Sequence, residues 1–450
     1  MSGQHASAAL LLLSLLGSGA LVAADAVAQP ALARPAARPV APPAPPARVI
    51  TAIVGAAVHT GAGEVIEGGV VVVEDGKISA VGEGIAAPQG ARVVDAKGSV
   101  VTPGLTDALT SMGIIEIDLE ERSHDDHPGG ADRIRAAFRA ADGYNPASCV
   151  IGVTRAEGVT SVGVIPNGGL ISGQSAWADL DGVTAVDAIA AAPLALHVHI
   201  WAGADPGGGG HAAALLRVRE AFDDARVFAR TRAAWERNQS RPFTPSRLDL
   251  EALAGALGGR LPVVFHVDRA ADILAALALA KELGLRPVIA GGAEGWRVAR
   301  EIAAAKAPVI VFPLVAGPTS FDVIGARDDN AARLHAAGVK ISISTGETHN
   351  ARKLRQVAGN AVRAGLPHEA ALSAITSGPA EALGMAARYG TLAPGKVANL
   401  VVWSGDPLEI GTRPRHVLIR GREVPLANRQ TALLARYRGA PPGTPGAAAP

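Results

Sequence analysis

A single cysteine, Cys149, rules out any internal disulfide, and with it the small disulfide-stapled folds. Cys149 itself reads as a small buried residue and not as a catalytic thiol. Aromatic side chains are few: 5 Trp, 3 Tyr and 7 Phe in 450 residues, too sparse for the stacking platforms of single-strand or sugar binders. Charge of one sign is also missing. With 42 Lys+Arg against 41 Asp+Glu, the net +1 gives no long-range field for nucleic acid or an anionic membrane. Nor does any stretch beyond the N-terminal region offer the ~18 uninterrupted apolar residues of a membrane span. What remains is a composition 48% hydrophobic and 18% charged, which excludes a disordered chain and suffices for a large core.

Near the N-terminus, residues 8–16 form a short apolar run, and Ala26-Val27-Ala28 before Gln29 has the small-x-small form of a cleavage site, although no Lys or Arg precedes the run. Residues 1–28 therefore read as a secretory signal. Alternating Pro, Ala and Arg over 29–48 suit a semi-rigid linker, and residues 439–450 resemble a disordered tail. The expectation is an exported protein, periplasmic or extracellular, with no stable membrane span.

Short β-type runs and turns fill residues 49–102, with Asp75-Gly76 between apolar runs as a hairpin signal. The same style returns in Ala398-Asn399-Leu400-Val401-Val402-Trp403 and over 416–424, so residues 49–102 and 390–428 are expected to build one small β-sandwich domain from both chain ends. Between them, apolar strands at 101–107, 158–165, 194–201, 261–267, 286–290, 308–313 and 340–345 alternate with Ala/Leu/Arg-rich helical stretches such as 271–283 and 293–305. That rhythm implies βα units around a parallel sheet. With residues 170–179 as a candidate eighth strand, the α/β reading closes as a (β/α)8 TIM barrel over 103–389, whose chemistry would lie at the C-terminal strand ends.

Three stretches carry a resemblance: Asp95-Ala96-Lys97-Gly98 followed by Thr102-Pro103-Gly104-Leu105-Thr106-Asp107-Ala108; Gly158-Val159-Thr160-Ser161-Val162; and Ala374-Ile375-Thr376 with Pro379-Ala380, Leu383-Gly384 and Gly390-Thr391-Leu392-Ala393-Pro394-Gly395-Lys396. In these the chain resembles the amidohydrolase superfamily, particularly its imidazolonepropionase-like and related exported members, over residues 49–424. The resemblance implies hydrolysis of amide, cyclic amide and related C–N bonds of a small molecule, using one or two divalent metals that activate water. It also implies a ligand set: two His ending strand 1, a Lys or Glu on strand 4, a His on each of strands 5 and 6, and an Asp ending strand 8.

Most of that set is substituted. Leu109 and Ser111 stand where the strand-1 histidines belong, Gly291 replaces the strand-6 histidine and Gly346 the strand-8 aspartate, while His266 keeps the strand-5 position. Side chains alternate along a strand, so His197 and His199 share one face. If that face is the barrel interior, they stand beside His266, and three imidazoles suffice for one zinc-type ion. The residues leave open whether one divalent metal binds there or none. Glu347, one residue past Gly346, is the candidate proton carrier. Arg155 is a candidate carboxylate binder through its planar fork. Two classes of function follow: an exported C–N hydrolase with a degenerate or remodelled metal site, and a catalytically inactive pseudo-enzyme serving as a ligand-binding or scaffold barrel.

Overall fold

In this computed structural model the described residues are 49–129, 133–201, 209–314 and 317–438. The expected signal, linker and tail lie outside them. The chain opens with β1 (Ile50–His59), β2 (Val65–Glu74), β3 (Lys77–Gly82), β4 (Arg92–Asp95) and β5 (Val100–Pro103). It continues through β6 (Leu105–Thr110), β7 (Val159–Val164), β8 (Ile171–Gln174), β9 (Ala176–Asp179), β10 (Ile189–Ala191) and β11 (Leu196–His199). Then come β12 (Pro262–Val267), β13 (Arg286–Gly291), β14 (Val309–Val311) and β15 (Ile341–Ile343), and finally β16 (Leu400–Trp403), β17 (Pro414–Ile419) and β18 (Arg422–Glu423).

Strands from both chain ends share one sheet, ordered β18-β17-β16-β5-β1-β2-β3, with β4 added against β1. The two ends meet where β5 and β16 run antiparallel, Val101 opposite Val402. Ile53, Val71, Val73, Ile78, Val101, Leu400, Val402 and Leu418 form its core. The β2–β3 hairpin turns on Asp75 (φ 47°) and Gly76 (φ 81°), both left-handed, which is the geometry that Asp-Gly favours.

The middle of the chain forms the barrel in two arcs: β10-β9-β7-β6 and β15-β14-β13-β12-β11-β8. Within them β6 and β7 are parallel, as are β11 through β15. The stretch 170–179 departs from the sequence reading. It forms two short strands, β8 antiparallel to β11 and β9 antiparallel to β7. A parallel strand needs a crossover of a dozen or more residues. Residues 165–170 supply no helix and turn back at Gly168 and Gly169, both left-handed, so the return must be antiparallel.

The arcs meet at a side-chain seam between β6 and the end of β15. Buried Asp107 accepts hydrogen bonds from the Ser344 and Thr345 hydroxyls and the Thr345 backbone N–H, while Leu109 N–H donates to Ser344 Oγ at 3.2 Å. Inside the barrel, Ala108, Leu109, Trp177, Ala195, Val264, Val288, Ala290 and Ile310 pack as a cluster of their own. The opposite faces, including Leu196, Val198, Val263, Phe265, Ile289 and Val309, join the larger core beneath the helices. Among the described residues no helix is long and apolar enough to cross a membrane. Cys149 is exposed, a correction to its expected burial: it opens the short helix Cys149–Arg155, whose buried face is carried by Val150, Ile151 and Thr154.

Candidate active site

Ala195 faces the barrel interior, so by strand alternation His197 and His199 do too. His266 shares the face of Val264 and lies opposite His199 in the β11–β12 register. The structure thus brings together the three imidazoles singled out from the sequence. His197 Nδ1 lies 2.9 Å from His266 Nε2, and the His199 ring stacks on that of His266 at 4.2 Å between centroids, 18° from parallel. Ser172 Oγ sits 3.0 Å from His199 Nε2. Burial holds all three rings neutral: His197 and His199 fall well below the usual histidine range, and His266 drops to about 4. Among the described residues, His197 Nε2 and His199 Nδ1 are buried without a hydrogen-bond partner.

Neutral imidazoles are the right chemical form for a metal, but this arrangement does not fit one. Stacked rings carry their in-plane lone pairs side by side, whereas a tetrahedral ion needs them to converge. The third ring is engaged nitrogen to nitrogen with His266 at hydrogen-bond distance. Among the described residues no group of three or more His, Cys, Asp or Glu is arranged to hold a metal ion.

The substituted ligand positions have been refilled by other side chains. Leu109 is 1% exposed within the interior cluster. Ser111 accepts a 2.9 Å hydrogen bond from Asn167, which also donates to buried Asp126. A Cβ on Gly346 would press on the Phe312 ring at 3.1 Å. A Cβ on Gly291 would lie 2.5 Å from Asp268 Oδ1, and Gly291 has φ 89°. The place vacated on β13 is therefore taken by the carboxylate of Asp268, just past the end of β12.

Asp268 opens a constellation that the sequence reading missed. With His211, Asp272, Asp322 and His266 it lines a cavity of about 170 Å³ at the C-terminal strand ends, beside Trp201 and Phe312. Burial raises Asp268 to about 6, opposed by the Ala293 N–H it accepts at 3.1 Å and supported by the like charges of Asp322 and Glu294. His211, first residue of the helix His211–Glu236, bridges two carboxylates: Nδ1 lies 3.0 Å from Asp272 Oδ2, an ion-pair contact and not an aligned hydrogen bond, and Nε2 lies 3.2 Å from Asp322 Oδ1. Burial also raises Asp272, against the pull of His211 and Arg269. One signal was available, because Asp268 falls two residues after His266 and so on the same face. His211, at the start of its helix, and Asp322, in the short 3-10 turn Phe321–Val323, gave none.

The remaining expected residues stand elsewhere. Glu347 is exposed; its backbone, not its carboxylate, is used, accepting from Thr110 Oγ1 at 2.9 Å. Arg155 ends the helix that precedes β7, so it lies at the N-terminal end of that strand, away from the cavity, where Nη1 donates to the Leu180 carbonyl. His127 pairs with Asp126 at 2.9 Å and His124 rests on the Ile117 carbonyl, local contacts that fix the loop after β6.

Known proteins agree with this architecture. Residues 249–429 match the profile of the amidohydrolase family. The chain is 26% identical to amidohydrolase tasK of Hapsidospora irregularis, an alignment taking in 78% of this chain and 39% of that protein, so the chain spans less than half the length of that curated relative. The crystal structure of an amidohydrolase from Thermotoga maritima is 27% identical, covers 83% of this chain and 99% of its own, and superposes with a TM-score of 0.75. Molinate hydrolase, at 17% identity and a TM-score of 0.52 over 89% of this chain and 99% of its own, shares the fold. In the barrel, the β domain drawn from both chain ends and these likenesses, the chain is similar to proteins of the amidohydrolase family.

Proposed function

We propose that this chain hydrolyses an amide or cyclic amide C–N bond of a small molecule in the cavity at the strand ends, with Asp268 as general base. The observation that carries this reading is a buried carboxylate titrating at about 6, facing a cavity beside a histidine held between two carboxylates. A base poised near the working pH combines the ionised form with useful proton affinity. Asp268 takes a proton from water as its oxygen attacks the substrate carbonyl. His211 passes a proton to the departing nitrogen, giving a carboxylic acid and an amine. No step is assigned to a metal, since the stacked imidazole donors do not converge on a common point.

The test is hydrolysis by the purified chain of a panel of N-acyl amino acids, dipeptides and cyclic imides at pH 7. Amine release by the wild type, with kcat down about 100-fold or more in Asp268→Asn, supports the reading. Equal rates in the two proteins would overturn it. A second reading, a non-catalytic binding barrel, is favoured by the refilled ligand positions at Leu109, Ser111, Gly291 and Gly346. It takes over if no panel member is hydrolysed while one of them raises the melting temperature.

Export belongs to the same proposal and is supported by the apolar run at 8–16 and the Ala26-Val27-Ala28 site. Mass spectrometry of the secreted form should find Gln29 first; soluble cytoplasmic protein retaining Met1 would contradict it.

A further inference from the structure

Arg286 opens β13, at the end of the barrel opposite His266 and Asp268. Its side chain is exposed, with enough protein around the guanidinium to lower its pKa by desolvation, and among the described residues no carboxylate, carbonyl or ring partners it. Elsewhere this chain does supply partners. Arg355, 4% exposed, donates to the carbonyls of Pro407, Glu409 and Thr412 and to Glu157. The Arg286 fork lies against Gly384, where a Cβ would come within 2.8 Å of Nη2, so the glycine keeps the place that the guanidinium fills.

This fork forms part of the wall of a groove of about 760 Å³. Lys306 and Lys340 also line it, with apolar surface from Leu285, Pro287, Pro308 and Ala386. Its one carboxylate, Glu381, is already bound to Lys340, and Lys306 has no acidic partner among the described residues. The groove therefore carries an exposed planar donor fork and an ammonium, neither paired with an acid among the described residues, beside apolar surface. A guanidinium fork matches the two oxygens of a carboxylate, and such charge-assisted pairs are the stronger hydrogen bonds.

We propose that this groove binds a small carboxylate bearing an apolar tail, the carboxylate on Arg286 with Lys306 nearby and the tail along Leu285, Pro287 and Ala386. The site is separate from the cavity at the other end of the barrel and does not depend on its chemistry.

Calorimetric titration of the full chain with hexanoate tests it, with hexylamine and inorganic phosphate as controls. Hexanoate should bind at one per chain and more weakly as salt rises. Hexylamine and phosphate should each bind at least about tenfold more weakly, the first carrying the opposite charge and the second lacking the tail. Arg286→Gln should weaken hexanoate about tenfold or more. Gly384→Ala, which crowds the fork without removing its charge, should weaken it in the same direction. Should Arg286→Gln fail to fold, Arg286→Lys keeps the charge but loses the fork and should still bind several-fold more weakly. Absence of saturable hexanoate binding, equal binding of phosphate, or affinity unchanged in these folded variants would overturn the proposal.

Discussion

Asp107 and His197 are both buried inside the same barrel, at its two opposite sides, yet their surroundings differ. Around Asp107, between β6 and β15, two hydroxyls and a backbone N–H supply the hydrogen bonds a buried carboxylate needs. Around His197 and His199, on β11, two ring nitrogens have no partner among the described residues, the His266 ring is shared, and a cavity opens at the end of β12. Leaving a buried polar atom unpaired costs roughly 1–3 kcal/mol, so a fold that satisfies one side and not the other separates a structural seam from a site.

The difference should be largest in activity. Asp268→Asn, which can retain the acceptor for the Ala293 N–H, should lower amide hydrolysis about 100-fold, while Ser344→Ala at the seam lowers stability with kcat of the folded protein little changed. A seam variant that abolishes kcat at unchanged stability would erase the distinction.

Stability against pH should separate the two sides next. Asp107 titrates at about 6 in the folded chain, above its unfolded value of 3.8, so the folded state binds the extra proton between those values. Its contribution is therefore greatest at low pH and falls as pH rises from about 4 to about 6, by on the order of 3 kcal/mol. The imidazoles act with the opposite sign. His266 falls from 6.5 to about 4, so stability is lost as pH drops from 6.5 toward 4. Denaturant melts from pH 4 to 7 should show that Asp107→Asn removes the first slope and His266→Phe reduces the second. Unchanged slopes in both variants would contradict the assignment.

A smaller effect is expected at Gly291. Alanine there meets Asp268 Oδ1 at 2.5 Å and must adopt a left-handed backbone, so Gly291→Ala should cost about 1–3 kcal/mol and displace the carboxylate. Thermal melting and kcat should fall together. Smallest of all are Glu347→Gln and Arg155→Gln, whose side chains do not line the cavity; each should leave kcat/KM within about twofold of the wild type.

Much of this architecture was legible because alternation and rhythm are written locally. Apolar runs separated by helical stretches gave the parallel strands, and the i, i+2 spacing of His197 and His199 gave their common face. The same rule applied once more along β12 would have reached Asp268. The antiparallel return of β8 and β9 was not legible from composition, since its direction depends on the short connection at Gly168 and Gly169. The position of Arg155 follows from its helix: a residue ending the helix before a strand lies at that strand's N-terminal end, away from barrel chemistry. His211 and Asp322 come from segments far apart in sequence, and only the closed barrel brings them together.

The account rests on chemistry carried by Asp268 and His211 and not by an ion on the three imidazoles. Metal stoichiometry tests it most directly: elemental analysis of the wild type and His266→Ala, each as purified and after dialysis against zinc. The account predicts far less than one metal per chain in both proteins, with no difference between them. One zinc per wild-type chain, lost in His266→Ala, would contradict it by requiring the stacked rings to turn onto a common ion.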